Sequence, residues 1–266
     1  MTTQSQKPAP LLFVITFAVC LFMFIPVIIS VMAGLVNNYR AGIKSGLTLR
    51  WIEEVWSVYG STVSASVILA LMCVICTLLL GVPCAYALAR SRSRFARAFE
   101  EVLTLPVAVP GLATALALIL AYGEIDLLRQ SFGFILIGHI LFTLPFMVRT
   151  VSSAFQRQDL LAIEEAARTL GASFAQRFLG VLVPAVFPAI LAGMLMVFTL
   201  SIGEFNLTWM LHTPMTRTLP VGLADSYASM RIEVGSAYTL VFIVVILPIL
   251  WLLQGVASWV QKRYGN

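Results

Sequence analysis

The chain is 266 residues long, 60% hydrophobic and only 11% charged, with a mean hydropathy of +0.95, where a soluble domain carries roughly 25% charged residues. A bilayer is therefore its expected solvent. Its 17 basic and 12 acidic residues leave a formal charge of +5, but no soluble basic face exists on which that excess could meet nucleic acid, so the charge is read as topology.

A spanning helix needs about 20 mostly apolar residues, and six runs satisfy this, at about 11–36, 61–89, 102–122, 134–155, 181–203 and 236–260. They are continuous, whereas barrel strands would alternate in segments of about ten. The first run is longer than a signal-peptide core of about 7–15 residues and is preceded by a single basic residue, Lys7, so it is read as a retained helix. The predicted fold is an all-α membrane protein of six transmembrane helices forming one domain over 1–266. Cys20, Cys73, Cys76 and Cys84 all fall inside apolar runs, where neither disulfides nor a hydrated metal site are expected. No metal or cofactor is assigned to this chain.

Orientation follows from the connections, because short cytoplasmic loops retain Lys and Arg. The second and fourth connections and the two ends carry Arg90, Arg92, Arg94, Arg97, Arg149, Arg157, Arg168, Arg177, Lys7, Lys262 and Arg263. The other side carries Arg40, Lys44, Arg50, Arg129, Arg217 and Arg231, diluted by Glu53, Glu54, Asp126 and Glu233. Eleven against six predicts that both termini are cytoplasmic. The arginines of the second connection would also suit anionic lipid headgroups. Prolines at positions 26, 83, 106, 110, 145, 184, 188 and 248 interrupt the spans, which is tolerated where neighbouring helices or a wet cavity satisfy the freed carbonyls.

Between the fourth and fifth runs, residues 156–180 are too long for a minimal connection and too patterned for a loose one. Two short helices are predicted. Asp159 is expected to cap the first, Ser173 and Gln176 form a capping-box pattern for the second, and Gly171 is placed at the turn. Ala166, Leu170, Phe174 and Phe178 recur every four residues as an expected apolar stripe. A polar helix pair projecting from a bundle suits docking of a soluble partner.

Glu165, Ala166, Ala167, then Gly171 after three residues, then Val181, Leu182, Val183 and Pro184 after nine more resemble the EAA signature of permease subunits in bacterial ABC importers. That signature ends in Ile-x-Leu-Pro, and Val181 and Val183 stand at its Ile and Leu positions. Leu105-Pro106, Pro110-Gly111, Gly203-Glu204-Phe205 and Thr218-Leu219-Pro220 are similar to the subgroup that handles polyamines, ferric ions, sulfate-type anions and 2-aminoethylphosphonate. The resemblance implies a type I importer in the bacterial inner membrane: two permease subunits, identical or homologous, two ATPase subunits and a periplasmic solute-binding protein. It implies that Glu165, Ala166, Ala167, Gly171, Val181, Val183 and Pro184 belong to the segment that couples to the ATPase subunit. ATP would be bound there, since no glycine-rich phosphate loop occurs in this sequence. The chain is thus a transport subunit and not itself an enzyme.

Ionisable groups at membrane depth are candidates for the solute path, and this sequence offers His139 and Glu204, the latter with Asn206 beside it, while Arg149 is read as snorkelling to the cytoplasmic interface. The competing readings are a histidine bonded to a neighbouring helix and an interfacial carboxylate. An ion-gradient-coupled secondary transporter is the alternative function, but the runs hold almost no acidic residues and show no repeat symmetry.

Overall fold

A computed structural model describes residues 10–264. Lys7 lies outside the described residues, as do the side chains of Lys262 and Arg263. Helices dominate, and among the described residues no strand forms beyond an isolated bridge between Val36 and Leu47. Among the described residues, four helices are long and apolar enough to cross a membrane: Leu11–Ala33, Arg50–Arg90, Phe132–Phe155 and Ile232–Trp259. Two bent pairs raise the number to six if each counts as one span.

The described residues cluster into two compact units, 10–60 with 222–244 and 61–221 with 245–264. In the first, α1 (Pro10–Ala33) is apolar on every side, and none of its spanning stretch is buried. That is the pattern of a helix facing lipid or another membrane chain. The segment after it is tied down by polar contacts. The Trp51 indole N–H donates to the Val36 carbonyl at 2.9 Å, and the Tyr39 backbone N–H donates to Glu233 Oε1 at 3.0 Å. Arg231 pairs with Glu54 and donates to the Tyr59 hydroxyl, and the Glu54 hydrogen bond pushes the guanidinium pKa up.

In the second unit α6 (Phe132–Phe155) is central. It buries Phe134, Ile135, Met147, Val148, Val151 and Phe155 against its neighbours. It packs against α3 (Arg94–Ala108), α4 (Gly111–Tyr122), α10 (Phe187–Ile202) and α11 (Asn206–Leu211). The α11 contact depends on Gly138, where a Cβ would lie 2.4 Å from Leu207 Cδ2. The long helix α2 (Arg50–Arg90) enters this unit from residue 61. At 41 residues it is roughly 60 Å long, about twice the hydrocarbon thickness.

The runs expected to span at 102–122 and 181–203 are not single helices. The first is replaced by α3 and α4, bent by 107°. Val109 and Pro110 adopt extended backbone there, because proline lacks an N–H and drives the residue before it out of the helical region. The second begins earlier, at Phe174, and bends by 70° between Ala185 and Phe187. Pro184 and Pro188 flank that bend, and a π-helical stretch, Phe178–Leu182, precedes it.

Candidate functional site

The polar segment after α6 folds as α7 (Gln158–Thr169) followed by α8 (Phe174–Arg177). The helix start differs from expectation. Arg157 is the cap residue, and Asp159 sits in the first turn, where its carboxylate accepts from Arg157 Nη2 at 2.7 Å instead of capping. That hydrogen bond holds the Asp159 carboxyl below its usual range.

The end of α7 explains the spacing of the motif. The Ala172 N–H donates to the Ala167 carbonyl at 3.1 Å and the Gly171 N–H donates to the Arg168 carbonyl at 3.0 Å. This is the pair of bonds that closes a Schellman motif, with its left-handed residue one position past the cap. Gly171 occupies that position at φ +82, a conformation that costs a Cβ-bearing residue roughly 1–2 kcal/mol. Three residues therefore separate Ala167, whose carbonyl is capped, from Gly171, which makes the turn. Two residues further on, Ser173 Oγ accepts from the Gln176 N–H while Gln176 Oε1 accepts from the Ser173 N–H, a complete capping box.

The apolar stripe expected through Ala166, Leu170, Phe174 and Phe178 does not form a single face, because the chain reverses at Gly171. Leu170 is 88% exposed and Ala166 is exposed. The inner stripe of α7 is Leu160, Glu164 and Ala167, spaced at four and three residues. Phe178 is half-buried and meets the edge of Tyr86 at 5.2 Å, while Phe174, itself exposed, stacks on Phe178 at 5.7 Å. Of the later motif residues, Val181 and Val183 are half-buried, Pro184 is exposed, and Leu182 between them is fully buried.

Three residues that the sequence did not single out hold this hairpin. Arg90, counted among the topology-setting arginines, is turned inward. Its Nε donates to Glu164 Oε2 at 2.7 Å and its Nη1 donates to the Phe155 carbonyl at 2.5 Å. The Tyr86 hydroxyl donates to Glu164 Oε1 at 2.5 Å. Burial pushes the Glu164 carboxyl up, but the Tyr86 and Arg90 bonds outweigh it and hold the carboxyl below the ordinary range. The only sequence signal was Tyr86 and Arg90 four apart, on one face of a helix end. Glu165, one position on, faces outward and is exposed.

The structure brings together two of the three solute-path candidates. His139 is 1% exposed, with Nδ1 2.8 Å from Ser201 Oγ and Nε2 2.8 Å from Thr208 Oγ1. Glu204 accepts from the N–H groups of Leu207 and Thr208 at 2.8 and 2.9 Å and from the Thr208 hydroxyl at 2.8 Å. Its carboxylate thus satisfies N–H groups in the first turn of α11 from the position before the cap residue, Phe205. Because the Thr208 hydrogen is directed at Glu204, its oxygen accepts from His139 Nε2–H, which leaves Nδ1 to accept from Ser201. Asn206 is exposed and stands apart from this chain of bonds.

A sequence model of the family described as "binding-protein-dependent transport system inner membrane component" matches residues 77–265. A protein of Salmonella choleraesuis (strain SC-B67) named for 2-aminoethylphosphonate transport system permease function is 26% identical over 244 residues, covering 91% of this chain and 92% of that one. The putrescine transport system permease protein of Escherichia coli (strain K12) is 27% identical, covering 75% and 74%. The molybdenum transport system permease protein of Mycobacterium bovis is 31% identical over a shorter stretch, 56% and 61%. In fold, the chain is similar to a chain in the crystal structure of a bacterial ABC transporter involved in the import of the acidic polysaccharide alginate. The TM-score is 0.67 at 21% identity, with 94% of this chain and 99% of that one covered.

Proposed function

We propose a coupling mechanism for this chain, which belongs to the binding-protein-dependent transport system inner membrane component family and is a membrane permease subunit of an ABC importer for a small solute. The α7–α8 hairpin is the piece that seats in a groove of a separate ATPase subunit. Glu165 makes polar contacts in that groove, Ala166 allows close approach to it, Ala167 lets the inner face of α7 pack closely on the permease, and Gly171 sets the turn. Val181, Val183 and Pro184 join the hairpin to the following span.

The observation that carries this reading is the hairpin itself. It is closed by a Schellman motif and a capping box, fixed on its inner face by Glu164, and leaves Glu165, Ala166 and Leu170 exposed. Small and apolar side chains presented on a rigid, capped turn favour docking, because little order remains to be lost on binding. ATP binding by the paired ATPase subunits displaces the hairpin and turns the permease outward. Solute then passes from a periplasmic binding protein, and hydrolysis resets the cycle, a rigid-body switch of the kind found at domain interfaces.

Six spans, counting each bent pair as one, put both termini in the cytoplasm with the arginine-rich connections. The chain then forms a single permease domain that pairs with a second permease subunit in the inner membrane. His139, Glu204 and Asn206 stand near the path only through α11, whose start Glu204 and His139 hold. We assign the solute to the 2-aminoethylphosphonate or polyamine class, for which the relatives aligned along most of the chain are named.

The test is a mild-detergent pull-down of the tagged chain from native membranes, comparing wild type with Ala166→Trp. Ala166 is exposed, so the bulky residue leaves the fold intact and obstructs the docking face. An ATPase subunit is expected with wild type and absent from the variant. Equal recovery from both would overturn the docking assignment.

A further inference from the structure

The clamp on the inner face of α7 has a connectivity that packing alone does not require. Arg90 is the last residue of α2. Its fork reaches two other helices at once, Nε to Glu164 at 2.7 Å on α7 and Nη1 to the Phe155 carbonyl at 2.5 Å at the end of α6. Carbonyls in the last turn of a helix lack intrahelical donors, and a cation there is favoured. Tyr86, one turn earlier on α2, takes the other oxygen of Glu164 at 2.5 Å, and its ring meets Phe155 at 5.6 Å, Phe174 at 5.8 Å and Phe178 at 5.2 Å. The side chains of Arg90 and Glu164 are only 17% and 14% exposed. The ends of α2 and α6 and the middle of α7 thus converge on a single guanidinium and a single carboxylate, and Phe174 and Phe178 close on the same site through the Tyr86 ring.

We propose that Arg90 is a positioning residue which, through Glu164 and the Phe155 carbonyl, binds α7 to the ends of α2 and α6 as one rigid body, so that displacement of the hairpin is delivered directly into α2. The proposal rests on the coupling reading given above. It divides labour between neighbouring glutamates: Glu165 faces the partner, and Glu164 returns the motion to the permease. A planar guanidinium can hold two acceptors in fixed geometry, whereas an ammonium on a flexible stem cannot. Arg90→Lys therefore keeps the charge and loses the rigidity, and Glu164→Gln keeps the acceptor for Tyr86 and loses the ion pair.

The experiment uses the complete transporter, purified with its ATPase from native membranes, in a background where the four native cysteines are replaced. Spin labels at Ala87 on α2 and Arg168 on α7, both exposed, report the separation of α2 and α7 without nucleotide and with ATP plus vanadate. With Arg90 and Glu164 intact, the mean distance is expected to change by less than about 2 Å, the scale of small helix shifts. In Arg90→Lys and in Glu164→Gln it should change by more and broaden, while the ATPase still co-purifies at the wild-type level. A distance that changes by more than about 2 Å with nucleotide even when both residues are intact, or variants that behave as wild type, would overturn the clamp while leaving docking in place. Failure of any ATPase to co-purify with wild type would instead remove the coupling reading, and the clamp with it.

Discussion

Gly171 offers a perturbation whose backbone and partner effects can be separated. Its φ of +82 makes any Cβ unfavourable by roughly 1–2 kcal/mol, yet a Cβ built there meets no atom within 4 Å. Gly171→Ala therefore probes the turn alone. If the docked hairpin needs this turn and the free hairpin can relax, the loss of one or two kcal/mol lowers ATPase association by up to about 5–30-fold. Gly171→Asn should fall between wild type and Ala, since asparagine tolerates the left-handed region better than other side chains. Gly171→Arg carries the same backbone cost as Ala and adds a long charged group to space empty of this chain, so any loss beyond Ala measures a surface belonging to the partner. The assay is the ratio of ATPase to tagged permease recovered in mild detergent, with membrane insertion checked in parallel. The expected order of recovery is Gly, Asn, Ala, Arg, with Arg near zero. Recovery of the Ala variant at the wild-type level would refute the requirement for the turn, and equal recovery of Arg and Ala would refute a partner surface at this position.

The intramembrane bonds and the clamp make separate predictions. Thr208→Val leaves the buried His139 Nε2–H without its acceptor and removes one donor to Glu204, which should destabilise the bundle by about 1–3 kcal/mol and lower its melting temperature in detergent. An unchanged melt would reassign the Thr208 hydroxyl. Because the folded Glu164 carboxyl is held below its ordinary range, its contribution is complete above the unfolded value of about 4.3 and is lost only as pH falls through the lower folded value. The mobility of a spin label at Arg168 should accordingly stay constant from neutral pH down to about 4.3 and rise below it. In Tyr86→Phe the rise should begin at higher pH, and a rise at near-neutral pH in the wild type would show that the ion pair does not hold α7.

The parts of this fold that were legible in the sequence are those whose physics is local. Gly171, Ser173 and Gln176 act on backbone groups within five residues of themselves, so residue type and spacing suffice. Apolar runs likewise register a spanning requirement, but they sum hydrophobicity without direction, and the 107° and 70° bends at Pro110 and near Pro188 leave that sum unchanged. Asp159 was misplaced as a cap because a neighbouring Arg157 competes for its carboxylate. Contacts across long separations were not legible. Glu164 and Arg90 are 74 positions apart, and His139 and Thr208 are 69. Nothing in local pattern distinguishes Arg90 from Arg92 or Arg94 until the ends of α2 and α6 and the inner face of α7 are brought together.

The adjacency of Glu164 and Glu165 shows why the hairpin needs a helix there and not a loop. Successive residues on a helix point about 100° apart, so two glutamates in sequence are obliged to face different surroundings. Leu160, Glu164 and Ala167 take the inner stripe, and Glu165, Ala166, Thr169 and Leu170 are left exposed. Exchanging the inner and outer residues would need only a one-residue slip of α7, and the two ends of the helix oppose that slip: the Arg157–Asp159 pair at its start and the Schellman bonds at its finish. The exposed pair is weak by itself, since solvent screens a surface ion pair and holding two side chains in one geometry costs entropy. The register is therefore held chiefly by the Gly171 turn and by the partly buried Glu164. On the coupling reading, the four-residue interval between Ala167 and Gly171 fixes which glutamate the partner meets, and a single-residue insertion between them should abolish docking even though every residue of the motif is retained.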